Sequence, residues 1–220
     1  MAQNPRPEID AQHAHWEMTL AANPQMYGPE PSVPGQYAAK LFQSQGLTTR
    51  VLELGSGQGR DTLGFLRAGF EVEALDYAAE ALAQVGEMAG IELAAHLRTT
   101  VHDVRDPLPF ADNSFDACYS HMLFNMALGT DELVNLAAEV RRVLRPGSPC
   151  VYTVRHTRDA HYGAGIALGD NLFENGGFVV HFFDRSLVEL LAAGFELDDV
   201  TDFEEGGLPR LLWQVTMHKL

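Results

Sequence analysis

Short apolar runs alternate with amphipathic ones along this chain, and the alternation predicts strands and helices in turn. Val51–Leu54 reads as a short buried strand, and Thr62–Ala68 after it as a helix. Phe70–Leu75 is strand-like again and is closed by Asp76; Tyr77–Met88 then carries Ala81, Leu82 and Val85 on one helical face. Within the less regular stretch 91–104, the β-branched residues of Thr99–His102 favour a strand. Phe115–Ser120 and Pro149–Arg155 read as the fourth and fifth strands. Between them, Asp131–Leu144 is a helix with Leu133, Leu136, Val140, Val143 and Leu144 on one side, ended by Pro146-Gly147. Ser186–Ala193 is a short helix closed by Gly194, and Phe195–Val200 and Leu211–Lys219 read as a last, antiparallel pair of strands. Strands interleaved with helices predict an α/β fold.

Before this run, Ile9–Ala22 predicts a helix carrying Trp16, Met18 and Leu20. An irregular proline-rich link follows, then a second helix over Pro34–Gln45 that stops at Gly46. Residues 1–8 read as loose. The stretch 156–183 is rich in glycine, histidine and aromatics and has no clear period. With 220 residues, one domain is expected: a helical cap (1–46), a core (47–155), an insertion (156–183) and a C-terminal helix with strands (184–220).

Composition narrows the classes. Apolar residues at 46% and charged residues at 20% suit a soluble globular protein. The net charge of −15 repels phosphate backbones, and only Arg141–Arg145, at a helix end, clusters cations, so a nucleic-acid partner is not expected. Met1–Pro7 lacks the apolar centre of a signal peptide and no apolar run reaches membrane length, so a cytoplasmic location and no membrane partner are expected. Cys118 and Cys150 fall in central strands and form no C-x-x-C pair, which reads as core packing. The histidines show no metal-ligand spacing, so no metal is expected.

The chemistry gathers after the first strand. Gly55-Ser56-Gly57-Gln58-Gly59 makes a turn too tight for side chains with a Cβ, between a strand and a helix, which is how open α/β sheets hold nucleotide-like ligands. A dinucleotide fingerprint needs its third glycine at position 60, and Arg60 stands there instead. Glu53 places a carboxylate inside a buried strand, so it must meet donors or a cation.

Glu53-Leu54-Gly55-Ser56-Gly57-Gln58-Gly59, with Asp76 closing the second strand about 20 residues on, resembles the first motif and ribose-binding acid of the class I S-adenosylmethionine-dependent methyltransferases. Arg145-Pro146-Gly147 before the fifth strand is similar to a turn of that family. The resemblance implies a Rossmann-like seven-stranded, mostly parallel sheet in the order 3-2-1-4-5-7-6, its last strand antiparallel and helices on both faces, with S-adenosylmethionine as cofactor. It implies that Glu53 orients the loop and that Gly55, Ser56, Gly57 and Gly59 approach the methionine and ribose parts. Asp76 would take the ribose hydroxyls and Tyr77 would lie against the adenine. Asp103 and Val104 would serve the adenine amino group and ring, and Ser120 and His121 would sit beside the sulfur.

Gly59-Arg60-Asp61-Thr62-Leu63 and Ala68-Gly69-Phe70-Glu71-Val72 are similar to a small-molecule branch that includes tellurite-resistance and thiopurine methyltransferases. The Pro-Pro-aromatic motif of DNA amino-methylating enzymes is absent, Ser120-His121-Met122-Leu123 standing in its place. A small-molecule methyl acceptor is therefore expected. A protein or RNA substrate, a nicotinamide-dependent reductase and a non-catalytic cofactor-binding domain stay open, as does the oligomeric state. Candidates for the acceptor side are Trp16, Met26, Tyr27, His121, Asn125, Arg155, His156, His161, Tyr162, Phe173, His181 and Arg210. His121, His156, His161, His181 and Tyr27 are the candidates for a catalytic base. Asp61 reads as a favourable helix-terminal charge, and Glu204–Arg210 as a solvated turn.

Overall fold

The computed structural model describes residues 11–23, 26–46, 50–206 and 210–220. The expected loose start, the beginning of the first predicted helix at Ile9, and residues 24–25, 47–49 and 207–209 lie outside the described residues. In chain order come α1 (Gln12–Ala22), α2 (Val33–Ser44), β1 (Arg50–Leu54), α3 (Arg60–Arg67), β2 (Glu71–Asp76), α4 (Ala79–Ala94), β3 (Leu97–Val101), β4 (Ala117–His121), α5 (Thr130–Val143) and β5 (Pro149–Arg155). They continue as β6 (Ile166–Gly169), β7 (Leu172–Asn175), β8 (Phe178–His181), α6 (Arg185–Leu191), β9 (Phe195–Glu205) and β10 (Arg210–Lys219).

Seven strands form one sheet in the order β3-β2-β1-β4-β5-β10-β9, with β10 antiparallel to both neighbours and the first five strands parallel. This is the expected topology. Helices cover both faces, so β5 is buried along its whole length and β4 as far as Ser120. Side chains of β1, β4 and β5 alternate between two cores. Leu52, Leu54, Cys118, Cys150, Tyr152 and Val154 pack toward α5 and α6, whereas Val51, Ala117, Tyr119 and Val151 pack toward α2 and α3. Each fully buried leucine or phenylalanine contributes ~1.5–3 kcal/mol. Cys118 and Cys150 are free, buried and opposite one another in the β4–β5 register.

Several elements differ from the expectation. α4 runs past Met88 to Ala94 because Gly90, at φ 60, lets the chain break helical geometry and resume. β9 extends eleven residues, to Glu205, carrying the β9–β10 hairpin beyond the end of β5. The insertion is itself a three-stranded antiparallel sheet, β6-β7-β8, turning through Asp170-Asn171 and Gly176-Gly177, all with positive φ.

Candidate active site

A cavity of about 670 Å³ opens at the carboxyl ends of the parallel strands. The glycine turn forms one wall. Gly59 caps α3 in the left-handed conformation, and a Cβ there would approach Val85 to 2.6 Å, so only glycine lets α3 and α4 close together. A Cβ on Gly57 would meet nothing within 4 Å; its backbone faces open space. Gly55 and Ser56 both donate their N–H to the Leu75 carbonyl, fastening the turn to β2.

Asp76, at the end of β2, is set by backbone donors. Its Oδ2 accepts from Gly57 N–H at 2.8 Å and its Oδ1 from Ala78 N–H at 2.9 Å. Burial raises its pKa, and the amides of Ala78, Gly57 and Tyr77 oppose that shift. Glu53 meets the donor its burial required: Thr62 Oγ1 donates to Oε2 at 2.5 Å. Burial first, and then the charge of Asp61, nevertheless push the Glu53 carboxyl well above the ordinary carboxylate range.

Asp61 is a structural joint rather than a bare helix-end charge. Its carboxylate accepts from Ser32 N–H at 2.6 Å, Ser32 Oγ at 2.8 Å and Tyr119 Oη at 2.8 Å. Through Ser32, which also caps α2, it ties the N-terminal segment to α3 and β4.

His121 leaves β4 beside Met122, whose φ of 66 is rare for an unbranched bulky residue and turns the chain along the cavity wall. His121 Nδ1 faces Thr153 Oγ1 at 2.8 Å, and Nε2 faces Glu205 Oε2 at 2.9 Å, so Nε2 carries a proton. Glu205 also binds Arg60 at 2.8 Å. Burial works to raise the Glu205 carboxyl, but His121 and Arg60 outweigh it and hold it down at about 2. The Arg60 guanidinium lies 5.5 Å from the centre of the Tyr27 ring. Sequence alone read Glu205 as solvated; the long β9 strand carries it back over the cavity.

The insertion and the ends of β5 and β10 build the opposite wall. Arg155 is buried and clamps Asp159 through Nε at 3.1 Å and Nη2 at 2.5 Å. Asp159 also accepts from the amides of His161 and Leu211, joining the insertion to β10. Phe173, Phe178 and Phe182 supply an aromatic surface, and Trp16 of α1 meets Phe178 edge-on at 5.2 Å. Gln12 holds this roof in place, donating to the Gly177 carbonyl at 2.9 Å and accepting from Val179 N–H at 3.1 Å.

Of the residues singled out from sequence, Trp16, Met26, Tyr27, Glu53, Gly55, Ser56, Gly57, Gly59, Asp76, Tyr77, Val104, His121, Asn125, Arg155, His161, Phe173 and Arg210 line this one cavity. Ser120, Asp103, His156, Tyr162 and His181 lie outside its lining. Ser120 donates its hydroxyl to the Leu54 carbonyl. Asp103 borders a small neighbouring pocket with Tyr77 and Val104 and is bound by Arg105; burial pushes its carboxyl up, but Arg105 outweighs this and lowers it. His156 stacks on Trp213 at 4.7 Å, and His181 is buried with Nδ1 against the Leu128 carbonyl; burial lowers the pKa of both rings. Tyr162 bonds Asn171 within the insertion. Among the described residues no His, Cys, Asp and Glu group could hold a metal ion, and no helix is long and apolar enough to cross a membrane.

Residues 51–147 match the protein family described as a methyltransferase domain. Over 98 residues the chain is 34% identical to the malonyl-[acyl-carrier protein] O-methyltransferase of Pectobacterium atrosepticum, a match that takes in 44% of this chain and 35% of that protein. The chain therefore spans about a third of this relative's length. The 1,6-didemethyltoxoflavin-N1-methyltransferase of Burkholderia thailandensis, solved with S-adenosylhomocysteine, superimposes with a TM-score of 0.75 at 19% identity, over 100% of this chain and 92% of that one. The N-methyltransferase NodS of Bradyrhizobium japonicum, also solved with S-adenosylhomocysteine, superimposes with a TM-score of 0.74 at 14% identity, over 96% and 99%.

Proposed function

We propose that this chain, whose residues 51–147 match the methyltransferase domain family, transfers the methyl group of S-adenosylmethionine to a small-molecule acceptor held in the cavity. The observation that carries the reading is the pairing of the glycine turn with Asp76 along one wall of the cavity, where Gly57 leaves room and the Asp76 carboxylate is held by backbone amides at its edge. Ser56 fits as well: its Oγ is buried with no partner among the described residues, and a ligand in the turn would supply one.

S-adenosylmethionine brings an electrophilic methyl on a sulfonium, so the protein's part is to bind, orient and exclude water, which can supply several kcal/mol. In this reading Asp76 takes the two ribose hydroxyls, Tyr77 and Val104 border the adenine, and Glu53 fixes the turn. Tyr27, Arg60 and Glu205 close the cavity from the N-terminal and C-terminal segments. His121 holds a proton on Nε2 toward Glu205, which suits fastening that closure better than drawing a proton from the acceptor. The size of the cavity and its apolar lining favour a small molecule over a polymer.

Calorimetry with S-adenosylhomocysteine, NAD and NADP tests the cofactor. Transfer of a labelled methyl group to a panel of thiols, phenols, amines and carboxylic acids tests the activity. S-adenosylhomocysteine is expected to bind and the nicotinamide cofactors are not; preferential binding of NAD would overturn the reading.

A further inference from the structure

Within the reading just given, we infer that the acceptor carries a carboxylate, seated on Asn125 Nδ2, Arg155 Nη1 and His161 Nε2. These three side chains line the cavity and are linked in series. Asn125 is wholly buried; its Oδ1 accepts from the Arg155 backbone N–H at 3.2 Å, and its own carbonyl accepts from His181 N–H at 2.9 Å. The first bond fixes which end of the amide is which, and Nδ2 has no acceptor among the described residues. An unpaired buried donor of this kind is unfavourable, and an acceptor oxygen entering the cavity would satisfy it.

Arg155 spends Nε and Nη2 on Asp159 and gives a further bond from Nη2 to His161 Nδ1 at 2.8 Å; Nη1 has no bond among the described residues. A guanidinium can only donate, so the 2.8 Å contact makes His161 Nδ1 the acceptor; it outweighs the longer 3.3 Å approach of Nδ1 to Asp159 Oδ1 and puts the ring proton on Nε2. The wall thus offers three N–H donors. A carboxylate can accept from all three, whereas a primary amide would turn its own NH2 toward them.

Charge points the same way. Asp159 offsets Arg155, and Arg210, which lines the same cavity opposite Glu205 in the β9–β10 register, is in no ion pair among the described residues. A net charge of −15 would otherwise repel an anion. Phe173, Phe178 and Phe182 beside these donors suit a flat apolar body behind the carboxylate, and Arg155 already lies 5.0 Å from the Phe182 ring centre.

The test compares benzoate and indole-3-acetate with benzamide and indole-3-acetamide by calorimetry, with and without S-adenosylhomocysteine. Variants are Asn125→Asp, which keeps the oxygen facing Arg155 but replaces the donor with a carboxylate, and His161→Phe at a half-exposed position. The acids are expected to bind at least about tenfold tighter than the amides. Both variants should lose most of that preference while binding S-adenosylhomocysteine as the wild type does. Acids that bind no tighter than amides, or a preference that survives both substitutions, would overturn the inference. Failure of S-adenosylhomocysteine to bind, with the acid preference intact, would overturn the methyltransferase reading and leave the donor wall standing.

Discussion

The Gly57 N–H donates to Asp76 Oδ2 across 2.8 Å, so the glycine turn and the carboxylate at the end of β2 hold one another in position. In the proposed reading, removing the carboxylate takes away two ribose bonds and loosens the turn. Asp76→Ala should weaken S-adenosylhomocysteine at least about tenfold, or about 1.4 kcal/mol, in protein whose circular dichroism is unchanged. Unaltered affinity by calorimetry would remove Asp76 from the site.

Asp61 predicts a loss of stability instead. Its three buried hydrogen bonds join α3 to Ser32 and Tyr119, and Asp61→Ala removes the acceptor of all three, leaving the Ser32 and Tyr119 hydroxyls only each other at 3.1 Å. The expected cost is about 3 kcal/mol or more, read from the midpoint of urea unfolding. Asp61→Asn, which keeps one acceptor oxygen, should cost less.

Glu205 gives stability that depends on pH in a known direction. Its folded pKa of about 2 lies below the ordinary value of about 4.3, so its contribution is complete above pH ~4.3 and lost as pH falls toward 2. The melting-temperature gap between wild type and Glu205→Gln should therefore shrink through that window. A gap that stays constant from pH ~6 to pH ~3 would contradict the assignment.

Glu53 has the opposite sign. Burial, then Asp61, raise its folded pKa, so its ionisation opposes folding as pH climbs above the unfolded value. Glu53→Gln should gain on wild type as pH rises above the unfolded value of about 4.3 in the absence of ligand. Thermal melts across that range check it; parallel curves would mean that Glu53 is ionised when folded.

The order of the large sheet was legible because each strand and helix of 50–155 carries its own local pattern, and Gly55, Gly57, Gly59 and Asp76 announce their chemistry at short range. The role of Asp61 was not, since its donors come from residues 29 positions before it and 58 after. Nor was that of Glu205, which meets Arg60 across 145 positions. The sheet in the insertion has a local signature, since Gly169-Asp170-Asn171 and Asn175-Gly176-Gly177 are hairpin turn sequences at short spacing. Histidine identity could not sort the candidate bases either. His121 and His161 are set apart from His156 and His181 by where β4 and the insertion end in space, not by their sequence neighbours.

The amides of Val179 and His181 donate to Gln12 Oε1 and to the Asn125 carbonyl rather than to β7. β8 is the outer strand of its small sheet, and an outer strand with bare amides is a template on which another chain can add. The side-chain amide of Gln12 takes the position that a further strand would occupy, so the same contact that seats the roof also fills this border.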